Sequence, residues 1–183
     1  MNSKYKKLEL CWPGKDIEVK PEPRVLIEDP EKSYGEADTE NMLIHADNLL
    51  ALKALEQNFS GRIKCIYIDP PYGKDSMGEF AETNYENAIT RDNLLSMLYP
   101  RLLLAKKLLS DEGLIFCSID DRNHAYVKGL FDEVLTEKFF INSFVWQKNS
   151  SGKTEKDKFT INTEYILLYA KTDRYTLNET YKE

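Results

Sequence analysis

The chain has 183 residues, 42% of them hydrophobic and 11% aromatic, which is enough for one domain with a real core and unlike a disordered segment. Its formal net charge of −6 excludes a wholly basic nucleic-acid coat but leaves room for a local basic surface. The opening "MNSKYKKLELCW" lacks the apolar run of a signal peptide, and no later stretch approaches the roughly 20 apolar residues of a membrane span, so a cytoplasmic protein is expected.

Residues 1–40, rich in Lys, Glu, Pro and Asp, read as an irregular N-terminal arm with turn signals but little periodicity. "MLIHA" then reads as a short apolar strand. "DNLLALKALEQNF" reads as a helix with Leu49, Leu52 and Leu55 on one face, and Asp47 is placed to cap it. "RIKCIYID" is a nearly continuous apolar run, the pattern of a strand covered on both sides. A polar loop over 73–89 follows, then a helix from Thr90 as N-cap to about Leu109, interrupted or kinked at Pro100.

"GLIFCSID" predicts another buried strand, "DRNHAYVKGLFDEVL" a helix capped by Asp120 or Asp121, and "FFINSFVWQ" a third buried strand. "KNSSGKTEKDK" carries Lys148, Lys153, Lys156 and Lys158 and reads either as a solvated loop or as a basic surface. "NTEYILLYAK" closes the pattern. Strands alternating with helices predict an α/β fold with a mostly parallel sheet. Cys11, Cys65 and Cys117 are odd in number and widely spaced, and His45 and His124 stand alone, so buried free thiols are expected rather than disulfides or a metal site.

The chemistry gathers where "CIYIDPPYG" leaves the sheet. Ligands in open α/β sheets bind beyond the carboxyl ends of the strands, which is where Asp69, Pro70, Pro71 and Tyr72 fall. A carboxylate and the Pro70 carbonyl would be two acceptors, Tyr72 would add a flat aromatic face, and the prolines would freeze the arrangement. Acceptors fixed around an exocyclic amino group, beside a ring to stack on, suit a flipped nucleobase.

"DPPY" after an apolar strand resembles the catalytic motif of amino-methyltransferases that use S-adenosylmethionine to methylate adenine N6 or cytosine N4 in DNA. With "LIHADNLLALKAL" before it, and "MLYPRLLLAKKLLSDEGLIFCSIDD", "FVWQK" and "EYILLYAK" after it, the chain is similar to the N-terminal catalytic half of a type III restriction-modification methylation subunit, from about residue 41 to 171. The resemblance implies a Rossmann-like methyltransferase fold, with residues 41–183 as a partial catalytic domain. It implies that Asp69 and the Pro70 carbonyl hold the target amino group in double-stranded DNA while Tyr72 stacks on the extruded base.

It also places Asp47 near the cofactor's adenine, a role that stands beside plain helix capping. Asp120 and Asp121 read as cap or loop residues, and Trp146 as core or sheet surface. Asp rather than Ser at the head of the motif favours adenine N6 over cytosine N4. The family's Asn-Thr-Gly after the tyrosine is replaced here by "GKDSMG", and no Gly-x-Gly occurs anywhere in the chain. A glycine-rich cofactor loop and a target-recognition domain are therefore expected to come from elsewhere, such as a complementing C-terminal segment. A restriction subunit is a second expected partner, and a non-catalytic remnant that binds only DNA or a partner is the reading from a different class.

Overall fold

In a computed structural model, residues 9–36, 39–72, 91–148 and 162–178 are described. The elements run α1 (Asn48–Phe59), β1 (Ile63–Ile68), α2 (Arg91–Leu108), β2 (Leu109–Asp120), α3 (Asp121–Phe131), β3 (Phe140–Gln147) and β4 (Thr163–Ala170). The sheet order is β1-β2-β4-β3. β1 and β2 are parallel, with Ile68 level with Cys117, while β4 runs antiparallel to both β2 and β3.

Among the described strands the sheet is thus mixed rather than mostly parallel. The reason lies in the connections. The parallel pair β1 and β2 is linked through α2, the crossover that parallel neighbours require, whereas antiparallel neighbours need none. β3 and β4 are closed at their ends by the Lys148 amide donating to the Asn162 carbonyl at 2.8 Å.

α2 and α3 pack on one face of the sheet, where Leu94, Leu98, Leu102, Ile115, Ile119, Leu130, Phe131 and Leu167 form the core. α1 packs against α2 and has no fully buried residue. Two expectations change on the other face. β1 and β3 are not covered on both sides: Tyr67 is 59% exposed and Trp146 60%, because no helix among the described residues lies over them. "MLIHA" is not a strand, since no strand lies beside the outer edge of β1 among the described residues to give it a partner. Cys11 and Cys65 are exposed, and only Cys117 is buried as expected.

The described residues before α1, 9–36 and 39–47, carry no helix or strand and are anchored at Trp12. Trp12 is buried against Tyr99, donates its indole N–H to Ser96 Oγ at 2.9 Å, and lies under the Lys15 ammonium. Lys15 in turn pairs with Glu133. α3 is capped by Asp120, whose carboxylate accepts from the backbone and side-chain nitrogens of buried Asn123 and pairs with Arg122. The expected N-cap Thr90, the loop 73–89 and most of the lysine-rich stretch lie outside the described residues. No helix of the described residues is long and apolar enough to cross a membrane.

Gly113 allows β2 to lie close to β1. A Cβ there would sit 2.9 Å from the Ser110 carbonyl oxygen and 3.0 Å from that of Ile63, both backbone atoms that cannot swing away. Gly113→Ala is therefore expected to destabilise the chain by about 1–3 kcal/mol, the usual cost of overpacking. Thermal denaturation followed by circular dichroism should show a fall of roughly 2–4 °C for each kcal/mol. An unchanged midpoint would mean that the two strands separate at no cost.

Candidate active site

Asp69 to Tyr72 leave the carboxyl end of β1 as an irregular turn, with Asp69 exposed, Pro70 buried and Tyr72 partly buried. The parallel register puts Ser118 of β2 beside Asp69. This buried serine donates its hydroxyl proton to Asp69 Oδ1 at 2.8 Å, and the Ile68 carbonyl lies at 3.4 Å. Ser118 is flanked along β2 by fully buried Cys117 and Ile119, so its hydroxyl needs an internal partner, and the carboxylate supplies one. A fixed rotamer for Asp69 follows.

Tyr72 lines the same cleft as Ser118 of β2 and Glu164 at the start of β4. Burial, followed by the negative charges of Glu164 and Asp69, pushes the phenol well above its ordinary range. It is therefore neutral at any physiological pH. Glu164 also forms an ion pair with Lys148 at the end of β3, and the Lys148 ammonium lies 5.8 Å from the centre of the Tyr72 ring.

Between these groups lies an open cleft of about 280 Å³, walled by Tyr67, Tyr72, Trp146 and Ile166, with Asp69, Ser118 and Glu164 supplying its polar atoms. Aromatic rings around a carboxylate can receive a flat heterocycle by stacking and accept a hydrogen bond from its amino group. The same acidic, aromatic lining suits a sulfonium cation.

Of the residues singled out from the sequence, Asp69 and Tyr72 line this cleft. Pro70 and Pro71 lie between them in the turn. Asp47 does not line the cleft. Its carboxylate accepts the Leu49 amide at 2.8 Å as the cap of α1 and pairs with Arg101, which also binds Asn48 Oδ1. Asp120 is taken up in capping α3, and Asp121 accepts from Tyr165. Trp146 is on the sheet surface, one of the alternatives read from the sequence, and its exposed ring faces the cleft.

Sequence reasoning missed Ser118, Glu164 and Lys148. For Ser118 a signal existed, a lone hydroxyl inside the apolar run "LIFCSI". Lys148 and Glu164 fall in the stretches "FVWQK" and "EYILLYAK" that carried the resemblance, but neither was given a site role, since each looks like an ordinary charge at a strand end until β3 and β4 are aligned with Trp146 opposite Glu164.

Residues 63–183 match a protein family described as DNA methylase, of the N6/N4 methyltransferase type. The Mod subunit of the type III restriction-modification enzyme StyLTI from Salmonella typhimurium is 34% identical over 164 residues, covering 76% of this chain and 25% of that subunit. The type II methyltransferase M.EcaI from Enterobacter cloacae is 34% identical over 146 residues, covering 78% of this chain and 32% of that protein. The chain thus spans about a quarter to a third of the length of these curated relatives. The crystal structure of M1.HpyAVI aligns with a TM-score of 0.50 at 20% identity, over 76% of this chain and 62% of that one, a likeness of fold.

Proposed function

The chain belongs to the DNA methylase family, and on that premise we propose that it is the catalytic portion of a site-specific DNA methyltransferase of a restriction-modification system, acting on adenine N6. The observation that carries the proposal is the pairing of Asp69, fixed by Ser118, with the ring of Tyr72 across one open cleft at the end of β1. The supporting likeness is to restriction-modification Mod subunits and to type II methyltransferases, of which this chain spans a part.

In this reading an adenine extruded from double-stranded DNA stacks on Tyr72. Asp69 and the Pro70 carbonyl accept hydrogen bonds from the N6 amino group and turn the nitrogen lone pair toward the donor. S-adenosylmethionine, when bound, would supply an electrophilic methyl group whose sulfur departs as a neutral thioether. Asp69, hydrogen-bonded to the amino group, would guide the surplus N6 proton toward water. Positioning and charge, with no covalent enzyme intermediate, supply the acceleration.

Asp47 is the residue we assign to the cofactor side, because its side chain stays 55% exposed even while it caps α1 and faces Arg101. In this reading residues 1–40 are an irregular arm and 41–183 a partial methyltransferase domain. A complete enzyme would join this chain to a glycine-rich cofactor loop, and a restriction subunit is the proposed partner.

The substrate class is tested by giving the complete enzyme methyl-labelled S-adenosylmethionine with duplex DNA, RNA or protein. Label is expected in DNA; label confined to RNA or protein contradicts the proposal. A second expectation concerns the 183-residue chain alone. It should bind S-adenosylmethionine weakly or not at all, because no stretch of it offers the close backbone approach of a Gly-x-Gly turn. Calorimetric titration at millimolar cofactor checks this, and tight binding at one site per chain would move the cofactor pocket into residues assigned here to other roles.

A further inference from the structure

The lysine-rich stretch that begins at Lys148 has no part in the chemistry above, yet its first residue reaches the cleft. β3 ends at Gln147, and the Lys148 amide is clamped to the Asn162 carbonyl at 2.8 Å, so the root of the side chain is fixed. Its ammonium pairs with Glu164, which lines the cleft, and lies 5.8 Å from the centre of the Tyr72 ring. The side chain is still 41% exposed. An ammonium has three N–H donors, so one carboxylate leaves it able to meet a second acceptor from solvent.

The charges of the cleft favour such an acceptor on this residue. None of the described residues that wall the cleft is a cation, and two of them, Asp69 and Glu164, are acids. A nucleotide turned out of a duplex carries a phosphate on each side of its sugar, so a base entering here brings negative charge toward negative charge unless a cation stands beside the opening.

We propose that Lys148 binds a DNA phosphate next to the extruded base and so positions that base over Tyr72. This rests on the DNA methyltransferase reading above and adds to it a residue that meets the DNA backbone rather than the base or the cofactor. Glu164 aims the ammonium, and the incoming phosphate shares it. The contact fixes register and carries no sequence information.

The test measures DNA binding by the complete enzyme, from the fluorescence anisotropy of a labelled duplex over a series of salt concentrations. Lys148→Ala should weaken binding about tenfold, the scale of one charge-assisted hydrogen bond, and make the slope of log affinity against log salt shallower by about 0.9. Lys148→Arg should keep the parent slope. Lys148→Gln, which retains a donor for Glu164 without the charge, gives the same comparison if Lys148→Ala does not fold.

A series of duplexes, each with one phosphate near the target adenine replaced by a neutral methylphosphonate, then locates the contact. At one position the replacement should weaken the parent about tenfold and the Lys148 variant less than about twofold, because the contact is lost once. An unchanged salt slope, or losses that multiply at every phosphate, would leave Lys148 a structural partner of Glu164 and overturn the proposal. Coupling at a phosphate in an enzyme that transfers no methyl group to DNA would overturn the functional reading and leave the contact standing. Methylated DNA without such coupling would overturn the role of Lys148 alone.

Discussion

Asp69→Ala in the complete enzyme is expected to abolish methyl transfer, a loss of at least about 100-fold, while affinity for S-adenosylmethionine stays nearly unchanged. The magnitude follows from removing a preorganised charged acceptor aimed at the group that becomes positive as the N6–C bond forms. The selectivity follows from position: Asp69 lies at the end of β1 and is fixed by Ser118, while the residue assigned to the cofactor, Asp47, is engaged with Arg101 at the start of α1. The fold should tolerate the change, because Asp69 is exposed and Ser118 keeps the Ile68 carbonyl as an alternative acceptor at 3.4 Å. Turnover and cofactor binding measured on one preparation decide it. Wild-type turnover would remove Asp69 from the mechanism.

Tyr72→Ala should lose at least about tenfold, equivalent to roughly 1.4 kcal/mol, within the range of about 1–3 kcal/mol for base–aromatic stacking. The loss should appear as reduced extrusion of 2-aminopurine, since the ring is assigned to holding the base. Tyr72→Phe should keep most activity, because the ring that stacks on the base is retained. Proton transfer by the phenol is not needed: burial and the neighbouring carboxylates keep it protonated far above neutral pH. If Tyr72→Phe were as damaged as Tyr72→Ala, the hydroxyl would be the working group and the stacking assignment would fall.

The helices were the most legible part of the sequence. The leucines of α1 recur at helical spacing behind a capping Asp47, and Asp120 precedes a run that becomes α3, so local chemistry decided both. Strand identity was also legible, from apolar runs bounded by charge. Strand burial was not. "RIKCIYID" and "FFINSFVWQ" are apolar enough for a covered sheet, but cover depends on what lies across from Tyr67 and Trp146, which no local pattern encodes.

"MLIHA" failed in a related way. An apolar pentapeptide becomes a strand only where another strand's backbone can pair with it, and the outer edge of β1 has no such neighbour among the described residues. The direction of β4 was hidden because alternation of strands and helices was extended across a connection that holds no recognisable helical pattern. At the site, Asp69 and Tyr72 were legible because two prolines mark the turn. Glu164 and Lys148 lie about 90 and 75 residues further on, and only strand order brings them to the ring.

The central claim, methyl transfer to adenine N6 in this cleft, is tested most directly by analysis of the product. Duplex DNA incubated with the complete enzyme and S-adenosylmethionine is digested to nucleosides and measured by mass spectrometry. The account predicts that N6-methyladenine accumulates, and that it disappears with Asp69→Ala. N4-methylcytosine in its place, or no methylated nucleoside from a folded, cofactor-binding enzyme, would contradict it.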